Sequence, residues 1–281
     1  MPEPVEEHQH IDRAEQLARV ARLTARDTQQ SDERAALFFE GPADIGKSSL
    51  LFEIYERHSD QGVYFVDLSR VDGERDVLEA LAMQARGQRV DVPSYRTTRG
   101  RFAEQSASTQ VSFTNVRARN SAIQLLTQGE DRGLQTDALS DALLDNLMSE
   151  SRRPVICLDS FEACAQPMRQ WLGRKLLPNL LTRREASVFV AGRELPRLSH
   201  PYSRAVHTLV LPPFDVDAVR DWIEALGLAS LQDKAVAIQQ THGGVPGLLA
   251  EFFACHIEPE AAVPARTDAH RPGAGTGNQD G

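Results

Sequence analysis

Gly41-Pro42-Ala43-Asp44-Ile45-Gly46-Lys47-Ser48-Ser49 is the stretch on which the reading of this chain turns. The apolar run before it, Ala35-Ala36-Leu37-Phe38-Phe39-Glu40, predicts a buried strand. After it, Ser49-Leu50-Leu51-Phe52-Glu53-Ile54-Tyr55 has the apolar spacing of one helix face. Strand, Gly-x-x-x-x-Gly-Lys-Ser, helix is the phosphate-cradling P-loop pattern in the context it needs. Glycines at 41 and 46 let the main chain wrap a phosphate chain with its N–H groups pointing inward, where a Cβ would clash. The N-terminus of the following helix adds partial positive charge. Lys47 is placed for the β- and γ-phosphates, and the Ser48 hydroxyl for Mg²⁺. All of Gly41–Ser49 is therefore a candidate cofactor contact, and the sequence predicts binding of a nucleoside triphosphate.

The surrounding composition sets bounds. At 281 residues the chain has room for one α/β domain and a small appended lid. A hydrophobic content of 41% is that of a globular protein. The formal net charge of −9 argues against a general nucleic-acid coat, though not against a local basic patch. No run of 18 apolar residues occurs, so no membrane partner is expected. The start, Met1-Pro2-Glu3-Pro4-Val5-Glu6-Glu7, is acidic and lacks the apolar core of a signal peptide. Cys157, Cys164 and Cys255 form no metal-type pair, and Cys157 reads as a reduced core residue. The expected compartment is the cytoplasm.

Along the chain, residues 1–10 read as disordered. A first helix opens near Ile11, with Asp12 as its candidate N-cap and Leu17, Val20 and Leu23 as its apolar face. Beyond the P-loop, Gly62–Leu68 reads as a second buried strand and 74–86 as a helix. Apolar strands alternating with helices predict a parallel sheet covered by helices on both faces. Residues 87–133 break the rhythm and read as a polar insertion. It carries Arg96, Arg99 and Arg101, and strand-like alternation over Gln110–Val116 suggests a β-hairpin there. The arginines fit either a solvated face or a contact with a partner or nucleic acid. A helix over 135–150 presents Leu139, Leu143, Leu144 and Leu147.

Pro154-Val155-Ile156-Cys157-Leu158-Asp159 is an apolar strand ending in a carboxylate. A P-loop protein needs such a group, the Walker B aspartate, beside the P-loop to hold Mg²⁺. Alone the pattern is common; after a P-loop, in an α/β rhythm, it becomes informative. A helix over 166–180 follows, with Trp171 on its core face. Ser187–Arg193 is a further strand, and its terminal arginine is either a γ-phosphate contact or a surface residue at a strand exit. Val206–Leu211 supplies another strand, in which His207 reads as a structural residue. From Pro212 the strands stop. Helices over 215–226 and 230–240, capped by Asp215 and Ser230, and a last one over 247–256 make a helical lid. The core is thus expected over 11–213, the lid over 214–257, and a disordered tail over 258–281.

With P-loop, Walker B strand, strand-end arginine and glycine–proline lid in this order, the chain resembles the bacterial STAND class, signal transduction ATPases with numerous domains. These are relatives of the AAA+ ATPases and of the NACHT and plant-resistance switches. The resemblance covers about residues 10–257. His10–Leu17 looks like the class's N-terminal apolar-x-Gly-Arg-Glu-x-Glu-Leu signature, with Asp12 in place of the glycine, which implies a place for Arg13 near the adenine. Leu158-Asp159-Ser160-Phe161-Glu162 is similar to its Walker B form. Val190–Arg193 looks like its sensor strand, implying that Arg193 contacts the γ-phosphate. Gly244-Val245-Pro246 resembles its lid turn, implying that Pro246 closes on the adenine. The implied cofactors are ATP or ADP with Mg²⁺.

One departure bears on turnover. Many AAA+ enzymes carry a glutamate directly after the Walker B aspartate to activate water. Here Ser160 stands there, and Glu162 lies two residues further on. Losing a well-placed base costs the chemical step about 10²–10⁴-fold. A slow ATPase suits a switch that acts through separately encoded protein partners, and the class implies homo-oligomers with ATP. The alternative is an AAA+-like ATPase acting on DNA, with Arg96, Arg99, Arg101, Arg117 and Arg119 as phosphate contacts. A small-molecule phosphotransferase would need an acceptor pocket with its own base, for which no pattern stands out.

Overall fold

The computed structural model describes residues 13–25, 35–113, 121–149, 153–183 and 186–257, with the side chains of 105–131 left aside. Five strands form one parallel sheet in the order β2-β3-β4-β1-β5. They are β1 (Ala36–Glu40), β2 (Val63–Asp67), β3 (Val155–Asp159), β4 (Ser187–Gly192) and β5 (Val206–Val210). Their side chains explain why the strand sequences run apolar without alternation. Ala36, Phe38, Tyr64, Val66, Ile156, Leu158, Val188 and Val190 enter the core on one face. Leu37, Phe39, Val63, Val155, Cys157, Phe189 and Ala191 enter the core on the other. Both faces of β1 to β4 are largely dry, so neither half of the period favours a polar residue there, whereas the edge strand β5 is half-exposed and carries His207 and Thr208.

Helices α1 (Ala14–Thr24) and α2 (Lys47–Arg57) cover the second face. Leu50, Leu51 and Ile54 of α2 are fully buried there, each worth about 1.5–3 kcal/mol relative to exposure. The first face is covered by α3 (Glu74–Gly87), α5 (Ser121–Met148), α6 (Gln166–Trp171) and α7 (Leu177–Arg183). Between α6 and α7 the helix widens to a π-turn over Leu172–Leu176. The Asp12 cap and the terminal segments lie outside the described residues.

The insertion departs from expectation. Gln110–Phe113 are the last turn of α4 (Pro93–Phe113), not a strand, while 114–116 are outside the described residues. The helix over 135–150 is the second half of the longer α5. The pair is anchored to the core at its described end. Tyr95 is buried, its hydroxyl donates to Glu79 Oε1 of α3 at 3.1 Å, and its N–H donates to Asn146 Oδ1 of α5 at 3.2 Å. Arg96 pairs with Asp91 at 2.6 Å and Arg99 with Glu79 at 3.0 Å.

The lid has its own core of Phe214, Ala218, Val219, Ile223, Leu231, Ala235, Ile238, Leu249 and Phe253. It is built from α8 (Val216–Ala225), α9 (Ala235–His242) and α10 (Pro246–Ala254). Asp215 caps α8, its Oδ1 accepting from the Ala218 N–H at 2.8 Å. Ser230 is not a cap: Ala229–Lys234 form a 3₁₀ segment, and α9 starts after it at Ala235.

Candidate nucleotide-binding site

Parallel strands end together, and that brings the candidate residues to one edge of the sheet. Glu40 pairs with Gly192 across β1 and β4, and Asp67 with Asp159 across β2 and β3. The P-loop leaves β1 at this edge. Gly41 is required by packing, since a Cβ there would lie 2.8 Å from Ile45 Cγ2. Asp44 and Gly46 take left-handed backbone, φ 61° and 88°. Ile45 is fully buried in the core beneath the loop, while Pro42, Ala43 and Asp44 face outward. Gly46 caps α2 without a side-chain hydrogen bond, and the first turn of α2 carries no acidic residue. The start of the helix keeps its donors and its positive end for an anion. Ser49, also in that turn, is exposed.

Lys47 is 8% exposed and its Nζ donates to the carbonyls of Gly41 at 3.0 Å and Pro42 at 2.6 Å. Burial lowers its pKa, against the opposing pull of the Glu162 and Asp159 carboxylates. An incoming phosphate chain would supply the negative charge that burial withholds. The Ser48 hydroxyl lies close enough to the Asp159 carboxylate to favour its charged form, and Asp159 Oδ1 accepts from the Ser160 N–H at 2.8 Å. Burial raises the Asp159 pKa, which these contacts oppose and the neighbouring Asp67 adds to. A hydroxyl and a buried carboxylate meeting beside a phosphate cradle fit Mg²⁺, which takes one or two carboxylates and fills its octahedron with phosphate oxygens and water. Ser48 and Asp159 would hold it, and the ion would neutralise phosphate charge. No group of three or more His, Cys, Asp or Glu side chains suited to an all-protein metal site occurs among the described residues.

Glu162 does not point at this pair. Its Oε2 accepts from the Arg193 N–H and its Oε1 from Arg193 Nε, both at 2.9 Å. Burial alone would raise its pKa, but the hydrogen bonds from Arg193 hold it below the ordinary value. Gly192 makes room for this latch: a Cβ there would lie 2.9 Å from Glu162 Oε2 and 2.5 Å from the Glu194 carbonyl. Arg169, which the sequence did not single out, braces the turn from behind. It donates to the carbonyls of Cys164 and Glu162 and pairs with Glu194 at 2.7 Å. Its signal is absent from the sequence because all three partners are chosen by folding.

The lid reaches the loop from the other side. Pro246, the first residue of α10, is packed over Gly46, about 3.9 Å from where a Cβ would stand. The Gly247 N–H donates to the Asp44 carbonyl at 2.8 Å, and a Cβ on Gly247 would come within 2.5 Å of Asp44 Cβ. Gly244, at φ 66°, lies against the Phe214 carbonyl, where a Cβ would stand only 2.1 Å away. Arg13 is 4% exposed and donates to the carbonyls of Ile45 at 2.9 Å and Pro212 at 3.1 Å, with its guanidinium over the Phe214 ring. His207, in β5, has its Nε2 2.5 Å from Arg19 Nη1 of α1.

No family model and no curated protein matches the chain. Solved structures do. Cdc6p from Pyrobaculum aerophilum is 14% identical, at a TM-score of 0.48 over 79% of this chain and 51% of that one. The STAND protein with a tetratricopeptide repeat sensor from Pyrococcus horikoshii is 14% identical, at 0.46 over 76% of this chain and 26% of its own. The Aeropyrum pernix ORC1 protein, solved in complex with DNA, is 16% identical, at 0.48 over 85% and 58%. The chain thus spans about a quarter to three-fifths of the length of these neighbours. Its own sheet order, with the cradle at the end of β1 and Asp159 at the end of β3, defines the fold. It is a P-loop nucleoside-triphosphatase fold.

Proposed function

We propose that the chain is an ATP-binding molecular switch with weak Mg²⁺-dependent hydrolysis of ATP to ADP and phosphate. It acts through contacts with separately encoded proteins, in signalling or defence. The observation that carries this reading is the Glu162–Arg193 latch beside the P-loop. The one carboxylate that follows Asp159 closely enough to activate water is held by the arginine that lies on the γ-phosphate side. A γ-phosphate competes with Glu162 for Arg193, and a released Glu162 can serve as base. Glu162 stays latched until the phosphate takes its arginine, which favours long dwell in each state over rapid turnover. Lys47 and the loop N–H groups hold the phosphates, Ser48 and Asp159 hold Mg²⁺, and Pro246 carries the lid over the site.

The pairing of Arg96 and Arg99 with Asp91 and Glu79 supports this reading over the DNA-acting alternative. DNA phosphates would have to displace carboxylates there; Arg117 and Arg119 lie outside the described residues. The deciding experiment compares Mg·ATP binding and turnover by the wild type, Lys47→Ala and Asp159→Ala. Slow turnover, with binding lost in Lys47→Ala, is expected. A wild type without measurable ATP affinity would refute the proposal. Salt-sensitive DNA binding with DNA-stimulated turnover would replace it with the alternative. Size-exclusion chromatography with a non-hydrolysable ATP analogue tests the expected homo-oligomer.

A further inference from the structure

Three consecutive carbonyls of the P-loop are held from outside it. Asp44 O accepts from the Gly247 N–H of the lid at 2.8 Å, Ile45 O from Arg13 at 2.9 Å, and Gly46 O from the Leu50 N–H of α2 at 3.0 Å. A trans peptide is planar, with its C=O and N–H pointing in opposite directions. Each carbonyl fixed outward therefore turns the next residue's N–H the other way, so these three bonds orient the N–H groups of Ile45, Gly46 and Lys47. The Leu50 bond comes with the helix, and the Gly247 bond comes with a docked lid. The Arg13 bond has neither origin: it ties the loop to the chain before α1.

We propose that Arg13 is a positioning residue for the phosphate cradle, fixing the Ile45–Gly46 peptide so that the Gly46 N–H faces the phosphates. This rests on the nucleotide reading above. It differs from the adenine-side place that the STAND resemblance implies, because it predicts an effect on ligands that have no base. The geometry suits the task. Gly46, at φ 88°, has no side chain to hold its peptide in place, and a loop with left-handed residues at 44 and 46 has other conformations to visit. A charged donor on a carbonyl in a buried setting makes a strong restraint. The same guanidinium donates to Pro212 O and lies over the Phe214 ring, 4.9 Å from its centroid, so it is itself held at the junction between core and lid. A lysine at this place would keep the charge but could not span both carbonyls with a planar fork.

The test measures affinities for a non-hydrolysable ATP analogue and for inorganic pyrophosphate by calorimetry. It uses the full chain, at a temperature where circular dichroism shows every variant folded. Arg13→Ala is expected to weaken both ligands by the same factor, about ten- to a hundredfold. Arg13→Lys recovers only part of the loss, and it carries the test if the alanine variant does not fold. Phe214→Leu, which removes the ring but keeps the hydrogen bonds, weakens both ligands clearly less than Arg13→Ala does. Loss of the ATP analogue with unchanged pyrophosphate would place Arg13 at the adenine and overturn the proposal. So would unchanged affinity for both ligands, or a Phe214→Leu loss as large as that of Arg13→Ala. A wild type that binds neither ligand refutes the nucleotide reading itself, and this inference falls with it.

Discussion

The cradle over Gly41–Ser49 and the Asp159–Arg193 edge lie at the same end of the same sheet, yet they are made of different material. The cradle is main chain: left-handed turns, a helix start, and carbonyls pinned from outside. The edge is side chain: a hydroxyl–carboxylate contact at Ser48–Asp159 and a two-point latch at Glu162–Arg193. A backbone site changes little without refolding its loop, so it serves to hold. A side-chain pair can exchange partners by rotating a few bonds, which is what the proposed switch requires of it.

Breaking the edge should affect turnover and spare binding. Glu162→Gln is expected to lower single-turnover hydrolysis about 10²–10⁴-fold while ATP affinity is kept or raised, since the weakened latch no longer competes for Arg193. Equal losses in rate and affinity would mean that the two regions are not separable. Breaking the cradle should do the reverse: Lys47→Ala is expected to weaken ATP by about a hundredfold or more, measured by calorimetry. Next in size is the lid contact. Gly244→Ala must strain a left-handed residue and push a methyl into the Phe214 carbonyl, so a loss of about 2–4 kcal/mol in urea unfolding is expected.

The smallest effect sharpens the electrostatic contrast. Glu162 has its pKa held below the ordinary value of 4.5 by Arg193, so the unfolded chain binds that proton more readily than the folded one. The latch therefore contributes stability above the ordinary carboxylate range and loses it as pH falls through the lowered value. Arg193→Ala should flatten the acid side of a melting-temperature profile relative to wild type, below about pH 5. Asp159 is shifted the opposite way by burial and gives no such support. A profile unchanged by Arg193→Ala would show that the latch does not persist in solution.

The two helical additions show where sequence patterns carry and where they fail. The lid's Asp215 cap was legible because a cap is a local event: its Oδ1 reaches the N–H three residues on. The short alternation over Gln110–Val116 pointed to a strand, but Gln110–Phe113 form the end of α4 and 114–116 lie outside the described residues. So short a stretch of period two does not outweigh the helix that leads into it, and α4 has its anchor far upstream, at Tyr95 on Glu79 and Asn146. The π-turn at Leu172–Leu176 was equally unreadable, since the apolar residues at 171, 172, 176 and 177 satisfy an ordinary helix.

By itself the sequence determined the parallel sheet, because strands buried on both faces must be apolar throughout. It also determined the cradle, because only glycine fits at 41 and suits the φ of 46, with Lys47 and Ser48 placed by the first turn of α2. It put Asp159 and Arg193 at strand ends, and parallel register carries strand ends to one edge. What only the tertiary structure decided is who holds whom: Glu162 on Arg193, Arg169 behind it, Arg13 on the Ile45 carbonyl, Gly247 on Asp44. Arginine and glycine carry no local pattern that names a partner 31, 32 or 203 residues away; closeness through the sheet and the lid chooses it.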